Sequence, residues 1–130
     1  MSGRQHISSG SPFEPVIGFS RALRADERVW VSGTGPVWPD GSCSDSAGTQ
    51  ARRCFEIIVA ALTEAGADLW DVVRTRMYLT SADDSDAVAA VHGELFGEIR
   101  PAATMVVVAA LLDPRWKIEI EAEALIGRKP

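Results

Sequence analysis

Lys117-Ile118-Glu119-Ile120-Glu121-Ala122-Glu123-Ala124 alternates apolar and acidic side chains without interruption. Successive side chains of a β-strand point to opposite faces, so the pattern predicts a strand over residues 117–126 with a core face and an acidic face. The segment from Val72 to Thr80 alternates in the same way, with Val73, Thr75, Met77 and Leu79 on one side and Arg74, Arg76 and Tyr78 on the other. Two half-buried strands of this kind predict a sheet with one apolar face.

The rest of the chain supplies two helices and further strands. Apolar residues recur at helical spacing from Ser46 to Ala65, ahead of Gly66, and from Asp84 to Gly97, where Ala87, Val88, Val91, Leu95 and Phe96 share one side. A hairpin is predicted from Ser20–Ala25 and Arg28–Gly33. The apolar run from Thr104 to Leu112 predicts a strand buried on both faces.

This order of elements predicts an α/β fold in which two helices pack on one face of a mixed sheet. The other face then carries Arg74, Arg76 and Tyr78 beside the three glutamates, together with residues of the Thr104 strand. A face of such mixed polarity fits a symmetric subunit interface with polar pockets, and a plain solvated face is the alternative.

Composition limits the classes of protein that fit. The 130 residues are 46% apolar and 24% charged, which favours one globular domain over residues 1–130. The net charge of −5 disfavours a nucleic-acid partner. Cys43 and Cys54 lack metal-ligand spacing, and no signal core or membrane-spanning run is visible, so we expect a cytoplasmic protein with reduced thiols that does not enter a membrane.

The usual motifs of catalysis are missing from the sequence. It contains no GxSxG elbow, no HExxH and no glycine-rich phosphate loop, and we expect no metal and no cofactor. His92 is a candidate general base only if its helix faces a pocket. A surface or core histidine is the alternative interpretation.

Several short segments, in this order and spacing, make the chain similar to the YjgF/RidA family, whose older label is L-PSP endoribonuclease. They are Ile17-Gly18-Phe19-Ser20-Arg21-Ala22, Val29-Trp30-Val31-Ser32-Gly33, Glu64-Ala65-Gly66, Asp71-Val72-Val73, Arg100-Pro101-Ala102-Ala103-Thr104 and Lys117-Ile118-Glu119-Ile120-Glu121-Ala122. The resemblance implies a chorismate-mutase-like fold and a homotrimer in which the sheets form a central β-barrel with ligand clefts between subunits. It also implies cofactor-independent hydrolysis of a reactive imine or enamine, which releases ammonia.

The resemblance further implies a set of site residues. Glu121 is the expected catalytic carboxylate that orients water, and a structural ion pair with Arg74 or Arg76 is its alternative use. The expected substrate-binding residues on the matched segments are Phe19, Ser32, Gly33, Ala103, Thr104 and Met105. Arg76 is added because alternation along its strand places it on the face of the sheet that the helices leave free.

The chain departs from the deaminase branch at one position above all. Ala103 stands where that branch has the arginine that holds the substrate carboxylate. Phe19 and Met105 stand where other members have a tyrosine and a cysteine, and Ala89 where some have an asparagine. We therefore expect poor binding of 2-imino acids and a pocket for an uncharged or differently charged imine, unless Arg76 or, less suitably placed, Arg100 replaces the missing cation.

Two other functions remain open from the sequence. Loss of the arginine also fits a non-catalytic homotrimer that binds a small molecule at its clefts. An endoribonuclease fits least, because the chain is acidic and has no paired His or Lys arrangement for phosphodiester cleavage.

Overall fold

The computed structural model describes residues 3–127 and contains one six-stranded sheet. The strands are β1 (Arg4–Ile7), β2 (Ala22–Ala25), β3 (Arg28–Thr34), β4 (Val72–Leu79), β5 (Ala102–Val107) and β6 (Ile118–Leu125). Their order across the sheet is β1-β2-β3-β6-β4-β5, and only β4 and β5 run parallel. The mixed α/β class is therefore confirmed.

Two helices cover one face of this sheet. The first, α1 (Ala47–Glu64), begins where the Ser46 hydroxyl accepts a hydrogen bond from the Thr49 amide at 3.2 Å. Its last residue, Glu64, is followed by Ala65 and then by Gly66, whose φ of +87° is the left-handed conformation predicted for this position. The second helix, α2 (Ser85–Phe96), buries Val88, Val91 and Phe96, as expected, while Ala87 is exposed instead of facing the core.

The predicted alternation on β6 and β4 is confirmed for most positions. Ile118, Ile120, Ala122 and Ala124 are buried under the helices, and the three glutamates between them lie on the other side. On β4 the prediction for Val73 is wrong, because a register shift relative to β6 between Val72 and Arg74 buries Val72 and leaves Val73 exposed. From Arg74 onward the side chains alternate as predicted.

The apolar run after Pro101 behaves differently from its prediction. The strand β5 covers residues 102–107 rather than 104–112, and it is an edge strand with β4 as its single neighbour. Val106 and Val107 are 41% and 54% exposed, so the prediction that this strand is buried on both faces is wrong for a single chain. The opposite edge, β1, lies in the polar N-terminal segment, for which no strand was predicted.

Two loops that flank the sheet are fixed by one buried side chain. Gln50, in the first turns of α1, donates from Nε2 to the carbonyls of Ser44 (2.6 Å) and Arg115 (2.9 Å). Its Oε1 accepts from the amide of Lys117 at 2.7 Å, one residue before β6. Gln50 therefore fixes the start of the strand that carries the three glutamates.

Within residues 3–127 we find no helix with both the length and the apolar character that a membrane span requires.

Candidate functional site

The face of the sheet away from the helices, which we call the open face, carries paired charges. Arg76 on β4 lies opposite Glu121 on β6, and Tyr78 lies opposite Glu119. Thr104 lies beside Arg76 on the far side of β4 and accepts a hydrogen bond from Arg74 Nη2 at 2.7 Å. The predicted mixed polarity of this face is confirmed.

Glu121, the expected catalytic carboxylate, is engaged by two neighbours on this face. The Tyr78 hydroxyl donates to Glu121 Oε1 at 2.5 Å, and this hydrogen bond raises the pKa of Tyr78. Arg76 Nη1 lies 3.8 Å from Glu121 Oε1 and 3.7 Å from Glu123 Oε2. Both Glu121 and Arg76 therefore take part in a network within the chain, which is the structural use that the sequence left open.

Glu119 is in a different environment, two residues earlier on the same face. Between Val31 and Thr34, β3 has one residue more than β6 opposite it, and this bulge includes Ser32 and Gly33. A Cβ atom at Gly33 would overlap Glu119 Oε2, so the glycine makes room for this carboxylate. Within residues 3–127, Glu119 accepts no hydrogen bond and has no ion pair within 4 Å. Burial is the largest influence on the pKa of Glu119 and raises it. Arg21 lowers this pKa by a smaller amount, the neighbouring Glu121 raises it, and the net shift is upward.

Arg21 completes this part of the site and was not among the expected site residues. Its guanidinium lies 5.5 Å from the centre of the Phe19 ring, and its Nη2 donates to the Gly33 carbonyl at 3.0 Å. Phe19, Arg21, Gly33 and Glu119 therefore form one cluster. Ser32 supports it, because the Ser32 hydroxyl donates to the Ser20 carbonyl at 2.7 Å.

The residues of β5 lie apart from this cluster within one chain. Strands β6 and β4 separate β5 from β3, so the distance across the sheet is roughly 14 Å at the usual strand spacing. Ala103 and Met105 pair with Thr75 and Met77, whose side chains face the helices, whereas Thr104 faces the open side. A single chain therefore does not bring Ala103, Thr104 and Met105 together with Phe19 and Gly33.

His92, the alternative general base, lies between α2 and the sheet. Its ring packs on Phe96 with centroids 4.6 Å apart, and its Nε2 lies 2.9 Å from Thr75 Oγ1. Burial lowers its pKa. His92 is thus on the opposite side of the sheet from Glu119, and it does not belong to the cluster.

Metal binding requires several ligand side chains around one point. In the described part of the chain, no three His, Cys, Asp or Glu side chains lie close enough together to hold a metal ion.

Sequence signals could have indicated part of this cluster. Alternation on β6 places Glu119 and Glu121 on the same face, and only the bulge at Gly33 distinguishes them. Arg21 is separated by one residue from Phe19 and directly precedes the buried Ala22, which predicts that its side chain lies on the open face.

The chain is similar to known proteins in both sequence and structure. A family model described as Endoribonuclease L-PSP matches residues 10–126. The chain belongs to this family, the YjgF/RidA proteins. A crystal structure of a Mycobacterium tuberculosis member of the YjgF/YER057c/UK114 family is 43% identical and has a TM-score of 0.88, covering 95% of this chain and 100% of that one.

Curated YjgF/RidA relatives extend the comparison. An uncharacterized protein of Streptomyces coelicolor is 37% identical over 95% of this chain and 92% of its own length. The 3-aminoacrylate deaminase RutC of Acinetobacter baylyi is 33% identical over 91% of this chain and 94% of its own length.

Proposed function

We propose that this YjgF/RidA protein is a cofactor-independent hydrolase that deaminates a reactive imine or enamine. The observation that carries the proposal is Glu119, a partly buried carboxylate with a raised pKa that lies beside the backbone of Gly33 and has no hydrogen bond or ion pair within residues 3–127. A carboxylate whose pKa is raised by burial holds a proton more readily than an ordinary one, which suits it to proton transfer. The relative named 3-aminoacrylate deaminase supports the substrate class, since 3-aminoacrylate is an enamine.

The chemistry requires one proton-transferring group and one water molecule. An enamine first tautomerises to the imine. Glu119 takes a proton from water as the oxygen bonds to the imine carbon, and it returns this proton to the nitrogen, to which the C=N π-electrons move. In the resulting carbinolamine the hydroxyl proton passes through Glu119 to the nitrogen as the C–N bond breaks, so that ammonia leaves and a carbonyl group remains. Glu121 remains the alternative carboxylate for this step, although its hydrogen bond from Tyr78 and its proximity to Arg76 hold it in the sheet network.

The proposed working unit is a homotrimer with its sheets around a central barrel and its sites between subunits. The open face includes Arg74, whose Nε is buried without a hydrogen-bond partner among residues 3–127. Such donors are costly unless another group reaches them. The exposed Val106 and Val107 on the β5 edge also favour a partner strand or subunit. A neighbouring subunit would bring Ala103, Thr104 and Met105 to the Glu119 cluster.

The trimer is tested by the mass of the protein in solution. We expect sedimentation equilibrium at micromolar concentration to give three times the chain mass of 14.0 kDa. A monomeric mass under these conditions would exclude clefts between subunits.

The activity is tested by ammonia release from freshly generated imines and enamines, some neutral and some bearing a carboxylate. We expect the wild-type protein to accelerate ammonia release from at least one of them above the rate in buffer. A protein that is inert with every compound contradicts the hydrolase.

A non-catalytic trimer that binds a small molecule is the second candidate, favoured by Ala103 at the position where the deaminase branch has an arginine. It predicts saturable binding without product in the same panel.

A further inference from the structure

The guanidinium of Arg21 is held in place but is poorly satisfied. It lies over the Phe19 ring, and its one hydrogen bond within residues 3–127 goes to the Gly33 carbonyl. A guanidinium has five N–H donors, and the buried Nε of Arg21 has no partner. The side chain is thus positioned by aromatic and backbone contacts rather than by a carboxylate.

The charge of Arg21 has no counter-ion in contact with it. Within the described residues it forms no ion pair within 4 Å, and Glu14 and Glu119 act on it only at longer range. Glu14 accepts hydrogen bonds from the Ser9 amide (3.0 Å) and the Ser9 hydroxyl (2.6 Å) instead. A partly buried cation is costly when no anion or sufficient set of acceptors compensates it, so an anion is the group that this position lacks.

Arg21 and Glu119 are joined through a single residue. Arg21 donates to the carbonyl of Gly33, and Glu119 lies against its Cα. Arg21 and Glu119 therefore each lie within a few ångströms of Gly33. One small molecule could place its carboxylate at Arg21 and its C=N group at Glu119.

We propose that Arg21 binds the carboxylate of the substrate and is the specificity-determining residue of this site. The substrate is then a small imine or enamine that carries a carboxylate, whereas Ala103 led us to expect poor binding of 2-imino acids and a pocket for an uncharged or differently charged imine. This inference rests on the proposed function for the reaction, but the binding of an anion to Arg21 does not depend on turnover.

The first test measures binding of two unreactive probes of nearly equal shape, propionate and propionamide, by NMR chemical-shift titration. We expect wild type to bind propionate more tightly than propionamide, because only propionate offers a carboxylate to the guanidinium. Arg21→Gln should weaken propionate binding by about 30-fold or more, which corresponds to about 2 kcal/mol, the lower end for loss of one partner of a buried charge pair. Propionamide binding should change little.

Two further variants make the test specific. Arg28→Gln removes the same charge from an exposed position at the start of β3 and should leave propionate binding unchanged. Arg21→Lys keeps the charge without the planar fork, so we expect an intermediate loss. If Arg21→Gln does not fold, the comparison of propionate with propionamide on the wild-type protein still tests the proposal. Equal affinity for the two probes overturns it, as does unchanged propionate binding by Arg21→Gln.

Turnover separates this inference from the proposed function. Loss of activity on carboxylate-bearing imines in Arg21→Gln, with activity on neutral imines retained, supports both. Propionate binding that requires Arg21 in a protein without any turnover supports the anion site and contradicts the hydrolase. Turnover of neutral imines without any propionate binding supports the hydrolase and contradicts the anion site.

Discussion

Replacement of Glu119 by glutamine should lower kcat by about 10²- to 10⁴-fold on any imine that the protein hydrolyses, the usual range for loss of a general acid or base. Glutamine keeps the shape of the side chain next to Gly33 but cannot take a proton from water. Steady-state ammonia release measures the effect, and thermal unfolding of the same preparation verifies that the variant is folded.

Glu121→Gln is the matched control, because both glutamates lie on the open face of β6 two residues apart. We expect less than a tenfold loss, since Glu121 is held by Tyr78 and Arg76. The opposite result, a large loss for Glu121→Gln and a small one for Glu119→Gln, would assign the reaction to Glu121, as the sequence predicted.

The pH dependence of the wild-type protein belongs to the same prediction. Burial and Glu121 raise the pKa of Glu119 above the ordinary value of 4.5. The carboxylate form is the one that activates water, so kcat/KM should fall as the pH drops through this raised pKa. The acidic limb should therefore lie above pH 4.5, and Glu119→Gln should abolish it.

Local patterns were enough to predict most of the fold. The alternation on β6, the helical spacing from Ser46 to Ala65 and the hairpin across Asp26-Glu27 each depend on neighbours within a few residues, where periodicity and turn chemistry determine the outcome. The family resemblance rests on these same segments, and the match over residues 10–126 bears it out.

The errors arise where the sequence does not show what covers a segment. The run from Thr104 to Leu112 is as apolar as a buried strand, yet β5 is an edge strand, with β4 as its single neighbour in the described sheet. An apolar run predicts burial, but it does not show which element, if any, packs against the strand. Val73 was misplaced for another reason, because one irregular step between Val72 and Arg74 changes which side chain faces the core.

A bulge also explains why the candidate site could be predicted only in part. Phe19, Ser32 and Gly33 were among the expected residues. Gly33 lies against Glu119, and Arg21 contacts both the Gly33 carbonyl and the Phe19 ring. The choice between Glu119 and Glu121 depends on the extra residue that β3 inserts at Gly33, which no periodicity reveals. Nothing in the sequence distinguishes Arg21 as a cation of the site, because its role depends on the contacts with Phe19 and Gly33 that only the fold creates.

The position of Glu119 depends in turn on a residue far from the open face. Replacement of Gln50 by alanine should lower the free energy of unfolding by about 2 kcal/mol or more, because the Ser44 and Arg115 carbonyls and the Lys117 amide lose the hydrogen bonds of a fully buried amide, at about 0.5–1.5 kcal/mol for each bond. Urea denaturation measures this loss, which is a large share of the stability of a domain of this size.

Thr49→Ala is the control for Gln50→Ala, since the exposed Thr49 side chain is the preceding residue of α1 and should change stability by less than about 0.5 kcal/mol. A loss below 1 kcal/mol for Gln50→Ala, with an unchanged denaturant slope, would mean that water replaces the amide and that Gln50 does not fix the loops. If the loss is as large as expected, the folded fraction of Gln50→Ala should also show reduced kcat. The amide of Lys117 is two residues from Glu119, and a carboxylate that transfers protons tolerates little displacement.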